Sequence, residues 1–568
     1  MKRTILGALF IFCAGVLMYM LFFRARQQEA SMLLVNGIVY TLNDAQPVAE
    51  AVAIDGDRIV GVGSTKEITS TFKSQHAIDL QGKAVYPGFI DSHAHLEGIG
   101  AVLMNLDLTG AATIEEITAI VKQEAERRKE GGWIRGRGWD QNKWRPAKFP
   151  THEPLDAVSG DVPVYLKRVD GHAAWVNKKA LELAHIDKST PDPEGGKIIR
   201  DFRGNPTGVF VDKAVDMLDA ILPPVSIAER TEAIRRGVQE CLKVGLTEVH
   251  DMGVDLELLG IYSRLIQSGE FPFRVYAVID GSGQTWDHYR QAGPDTSGHG
   301  GRLVVRAVKM YADGALGSRG AALIRPYSDD PGNRGLTLTS KAELSDAASD
   351  CLKIGFQLCV HAIGDRANSL VLSVYEDITS RSAAVSGLRF RVEHAQILDP
   401  RDIPRFHRLG VLPMMQPTHC TSDMPWAEAR LGAERLAGAY AWRSLLDQGS
   451  IVPGGSDAPV ESPNPLWGVY AAVTRQDHAG RPEGGWHPEQ RMTRMEALKS
   501  FTIWGAYAGF QEHMKGTIEP GKWADLTVLS EDILKVEAAR ILDTKVEMTI
   551  VAGSVAFRSH ADTAEWTK

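Results

Sequence analysis

Between residues 84 and 454, short apolar runs rich in β-branched residues alternate with segments of helical period. The runs fall at 84–90, 246–250, 273–279, 304–311, 357–361, 390–394, 411–416 and 451–454. Helical periodicity marks 227–244, 341–354 and 436–447 between them. Such alternation predicts a parallel sheet with crossover helices, and eight strands suit a closed (β/α)8 TIM-like barrel. The gap between the first two strands is far longer than one crossover needs. Residues near 110–230, rich in Trp, Gly and Pro, are therefore expected to form an inserted subdomain.

Both chain ends have a different texture. Runs at 33–40, 51–54 and 58–62 are broken by Asn-Gly, Asp-Gly and Gly-Ser, and similar short runs recur at 526–529, 546–551 and 555–557. A small β-sandwich built from 31–86 and 510–560 is expected beside a barrel over 87–509. Ahead of both, no charged residue occurs from Ile5 to Phe23, with Lys2 and Arg3 before and Arg24 and Arg26 after. At about 1.5 Å per residue this stretch reaches roughly 28 Å, near the thickness of a hydrocarbon core. Large residues before Arg24 disfavour a cleavage site, so residues 1–30 read as an uncleaved transmembrane anchor rather than a removed signal. The expected localisation is single-pass membrane with an exported, periplasmic catalytic part. The flanking basic residues are balanced and specify orientation weakly.

A net charge of −8 with no basic block argues against nucleic acid as a partner. Five cysteines without a Cys-x-x-Cys pair do not form a disulfide framework.

Residues that bind metals or protons stand at the ends of the apolar runs. His93 and His95 lie in PGFIDSHAHL. Two apart on a strand, they project from one face and can hold one ion, although exposed strand tips carry histidines for plainer reasons. His361 in FQLCVHAIGD and His394 in LRFRVEHAQ sit where buried strands meet loops, the catalytic rim of such a barrel. Either alone is more often a satisfied core histidine. Asp457 in IVPGGSDAP suits a metal ligand and base, or a turn residue. On spacing alone, Lys309 is a buried lysine paired with an acid such as Asp313.

The order His-x-His, Lys, His, His, Asp over eight strands, with PGFIDSHAHL and GSDAP, resembles the amidohydrolase superfamily. RVDGHAAWVN, VKMYADGALGSRGA, HAIGDRA and RVEHAQ are similar to its YtcJ-like branch, which includes N-substituted formamide deformylase. The resemblance spans roughly 31–560. It implies two Zn2+ ions held by His93, His95, His361, His394 and Asp457 and bridged by a carboxylated Lys309, with Asp457 also the base. His172 is then expected to donate to the substrate carbonyl. Asp170, Asp313, Arg319, Asp365, Gln416 and His419 are expected to face the substrate, or else to be structural. Trp133, Trp139 and Trp144 form either an aromatic substrate wall or the insert's own core. The implied function is hydrolysis of a non-peptide carbon–nitrogen bond, in an N-acyl or N-formyl amide. A cyclic amide or ester is the runner-up substrate. A non-catalytic regulatory member stays open, although a full ligand set argues against it. The expected partners are the small amide, the membrane and, as an open option, a second copy in a homo-oligomer.

Overall fold

The computed structural model describes residues 27–127, 132–380 and 387–559. Its centre is a sheet of seven parallel strands, paired in chain order. These are β1 (Phe89–Ala94), β2 (Leu246–Val254), β3 (Arg274–Asp280), β4 (Leu303–Tyr311), β5 (Gln357–Ala362), β6 (Arg391–His394) and β7 (Leu412–Met414). Crossover helices bury one apolar face each. The helix Ile227–Lys243 starts at a capping box between Ser226 and Glu229 and buries Ile234, Val238, Cys241 and Leu242. It packs backbone to backbone on the helix Leu96–Val102: a Cβ on Gly100 would lie 1.7 Å from the Ala233 oxygen.

The fold differs from the expected eight-stranded barrel at one position. Residues 451–454 form no ladder strand. The segment instead closes the gap between β7 and β1 through single bonds. Gly455 N donates to Met415 O at 3.1 Å, Ser92 N to Gly454 O at 3.0 Å and Asp457 N to His93 O at 2.7 Å. Pro453 and the two glycines explain the irregularity, since proline lacks a donor and glycine weakens extended pairing. The first expected strand also divides. Ala84–Pro87 belongs to a neighbouring sheet, and β1 begins after Gly88. The expected helix over 436–447 is broken too, into a 3-10 turn at Ala433–Gly438 and a helix at Trp442–Asp447, with Tyr440 at a φ of 50° between them.

Two further sheets lie at one side. One has four strands from 32–79. The other has six and combines Ile38–Tyr40, Val48–Ala49 and Ala84–Pro87 with Leu526–Leu529, Val546–Val551 and Ser554–Arg558. Leu34, Val52, Val85, Leu526, Val528 and Ile550 share one buried core. A third sheet of six strands, within 106–212, forms between β1 and β2. Trp139 and Trp144 stack at 6.0 Å in its core, with Trp175 alongside, so they pack the insert rather than line a site. Trp133 is buried in a second cluster of the insert.

The membrane expectation is corrected. Among the described residues no helix is long and apolar enough to cross a membrane, and the stretch 5–23 lies outside them. The membrane partner and the periplasmic placement built on that helix lose their support. The structure is of one chain and gives a homo-oligomer no support either. The four described cysteines are buried and free.

Candidate metal centre

The site forms where β1 and the segment after Gly454 meet. The Asp91 carboxylate accepts from the backbone of His93 at 3.1 Å and of Ser456 at 3.0 Å, and from the Ser456 hydroxyl. His95 N donates to Ala458 O at 2.8 Å. These bonds lock Asp457 against the His-x-His strand. Asp457 itself holds a φ of 57°, and His394 one of 74°. Non-glycine residues in that region cost about 1–3 kcal/mol each and cluster at functional sites.

Two ligand groups result, His93–His95–Asp457 and His394–His419–Asp457, with Asp457 common to both. Asp457 Oδ1 lies 3.2 Å from His95 Nε2 and 3.5 Å from His93 Nε2, and Oδ2 lies 3.7 Å from His419 Nε2. Three of the imidazoles are oriented by a bond on the other ring nitrogen. His93 Nδ1 meets Glu393, His95 Nδ1 meets the Met252 carbonyl at 3.1 Å, and His394 Nδ1 meets Gln416 Oε1 at 2.7 Å. With the proton on Nδ1, each Nε2 turns a lone pair inward, as metal-binding histidines do. Burial pushes His93 down to about 4, helped by the Lys309 charge. Burial and the neighbouring imidazole also hold His394 well below its usual range. Among the described residues His419 Nε2 is buried with no hydrogen-bond partner. Inward-facing imidazole nitrogens around one carboxylate fit divalent cations.

The expected lysine bridge is corrected by this geometry. The shared ligand is Asp457. Lys309 belongs to neither group, and its Nζ stands 3.3 Å from His93 Nε2. Zinc is not singled out either, because imidazole with carboxylate suits several first-row ions. His361 lies outside both groups. Its ring packs 4.5 Å from that of His394, and its Nε2 faces Gly314 O at 3.4 Å.

A cavity of about 110 Å³ opens onto the His394–His419–Asp457 group, between the barrel rim and the insert, and meets the other group at the shared Asp457. His172 and Asp170 line it, as do His361, His394, His419 and Asp457. His172 Nδ1 meets Asp212 Oδ1 at 2.8 Å. Burial alone would push its pKa down, but the Asp212 bond and charge outweigh it and hold the ring above its ordinary value. Asp170 pairs with Arg168 at 2.5 Å. The other expected substrate contacts turn elsewhere. Asp313 accepts from the backbone of Ala322, Ile363 and Gly364. Arg319 pairs with Asp329 at 2.9 Å, and Asp365 accepts from Ile324 N at 2.7 Å. Gln416 orients His394.

Sequence reasoning missed Glu393, Arg391, Asp212 and the cavity residues Trp426 and Glu461. For Arg391 and Glu393 a signal existed: opposite charges two apart inside an apolar strand share a face and pair when buried. Asp212 gave none, since it joins His172 only through pairing within the insert.

A near-closed parallel barrel with a His/His/Asp double centre at its rim defines a metal-dependent hydrolase. The family model described as "Amidohydrolase family" matches residues 76–557. The chain is 33% identical over 533 residues to the putative amidohydrolase YtcJ of Bacillus subtilis (strain 168), covering 92% of this chain and 98% of that protein. It is 29% identical over 547 residues to N-substituted formamide deformylase of Arthrobacter pascens, covering 93% and 98%. Among solved structures it resembles an uncharacterized metal-dependent hydrolase from Pyrococcus horikoshii OT3, with a TM-score of 0.72 and 28% identity over 89% of this chain and 99% of that one. The chain belongs to the amidohydrolase family and is a metal-dependent hydrolase of non-peptide carbon–nitrogen bonds.

Proposed function

We propose that the chain hydrolyses a small N-acyl or N-formyl amide, with two divalent ions held by His93, His95 and Asp457 and by His394, His419 and Asp457. The observation that carries this reading is the pair of ligand groups sharing the Asp457 carboxylate, which lines one cavity together with His394 and His419. The cavity volume of about 110 Å³ supports a compact acyl group, well below the ~300 Å³ at which drug-sized pockets begin. Similarity to a formamide deformylase supports the same substrate class. When bound, the ions supply Lewis acidity, making water nucleophilic near neutral pH and polarising a carbonyl.

The chain's own groups do the rest. The Asp457 carboxylate, fixed by β1, accepts the proton of the attacking water and returns it to the leaving nitrogen. His172, held by Asp212, donates from Nε2 to the carbonyl oxygen as negative charge develops there. Asp170, fixed by Arg168, bounds the outer wall of the cavity. The catalytic body in this reading is 87–509, with the insert near 110–230 supplying that wall.

The test is a panel of N-formyl and N-acyl amines offered to divalent-metal-loaded protein, with the released amine quantified. Asp457→Asn should abolish release and leave the circular dichroism spectrum unchanged. Release from esters or cyclic amides alone, or full turnover by Asp457→Asn, would overturn the reading.

A further inference from the structure

The two ligand groups differ in what stands behind them. His394 is oriented by a neutral amide, Gln416, and His95 by a backbone carbonyl. His93 is oriented by the carboxylate of Glu393, which has no exposed surface. Arg391 grips that carboxylate with two prongs, Nε to Oε1 at 2.6 Å and Nη2 to Oε2 at 3.1 Å. The Arg391 fork is itself fixed, by Ser92 O at 2.7 Å and His250 Nδ1 at 3.0 Å. Beyond His250, Glu248 lies 3.4 Å away and contacts Lys515. The barrel interior thus holds an alternating column of charges, ending on the back of one metal-facing imidazole. An ionised carboxylate behind an imidazole makes its free nitrogen a stronger donor than an amide does.

We propose that Glu393 is a positioning residue that makes the His93–His95–Asp457 group the tighter of the two metal sites, so the sites fill in order. This rests on the two-ion reading above. The Gln416 side supports the asymmetry: among the described residues its Nε2 is buried without a partner, so no group there fixes that amide as Arg391 fixes Glu393.

The test is Co2+ titration of the full chain against a competing chelator, with the visible spectrum recorded at each equivalent. Wild type should bind two equivalents, the first more tightly. His419→Ala should delete the weaker one only. Glu393→Gln can offer an amide N–H to His93 and drive its proton to Nε2. It should weaken the first equivalent about 10–100-fold and leave the second unchanged. Gln416→Glu, which needs no change in the charged column, should tighten the second about tenfold and narrow the gap. Unchanged first-site affinity in Glu393→Gln, equal weakening of both sites, or no effect of Gln416→Glu would overturn the positioning role while leaving two sites in place. If Glu393→Gln does not fold, Gln416→Glu decides. Fewer than two equivalents in wild type would remove the two-ion reading itself, and this inference with it.

Discussion

The Asp212 carboxylate decides what His172 can do. Most buried imidazoles of the site are held neutral, but His172 is held above its ordinary 6.5 because Asp212 outweighs burial. A donor of this kind works while protonated. Its contribution to kcat/KM is therefore full at low pH and falls as pH rises through the raised value. Asp212→Asn removes the charge, so the alkaline limb should move to lower pH. Profiles of kcat/KM for both proteins check this; coincident limbs would remove His172 from the donor role. Much of the ligand arrangement was legible at this level. His93, His95, His394 and Asp457 converge because strand ends and the turn after Gly455 must meet at one rim. His419 was legible as a pocket residue but not as a ligand, since it sits in the helix Pro417–Asp423 beyond β7 rather than on a strand tip. The Arg319 pairing with Asp329 was not legible, because a contact ten residues apart in a loop has no periodic signal.

The segment 454–458 does the work of an eighth strand without the hydrogen-bond ladder of one. Sequence periodicity located it but missed its irregular form, because Pro-Gly-Gly fits a tight passage as well as an edge strand. The passage is tight at one atom. A Cβ on Gly455 would lie 2.8 Å from His93 N and 2.9 Å from Asp91 Oδ1, and a backbone nitrogen cannot swing aside. Gly455→Ala should cost about 1–3 kcal/mol of stability, as overpacking does. It should also weaken both metal equivalents, because it displaces the carboxylate they share. Gly332→Ala is the control: its Cβ meets nothing within 4 Å among the described residues, so its thermal midpoint and metal binding should match wild type. Metal binding by Gly455→Ala at wild-type affinity would show that Asp457 does not depend on this contact.

The barrel and the composite sheets are joined as one body. Only Gly88 separates Ala84–Pro87 from β1, and it donates to Asp525 O at 2.8 Å. The Asp525 side chain receives Arg274 of β3 through two bonds, at 2.7 and 3.1 Å, with both groups almost fully buried. Arg274 also stacks 3.9 Å from the Trp523 ring. Breaking such a pair from one side leaves a buried charge without its partner. Asp525→Ala should therefore cost about 3–5 kcal/mol. Burial pushes Asp525 up, but Arg274 outweighs it and holds the carboxyl below its ordinary 3.8. The stability it contributes is thus complete above pH 3.8 and lost as pH falls through the depressed value. Because the joint is shared, the loss should not free the sheets as a separate unit. Urea unfolding followed by tryptophan fluorescence and by circular dichroism should give one coincident transition, at a lower midpoint than wild type and converging with it in acid. An early transition seen by one probe alone would show that the composite sheets unfold independently of the barrel.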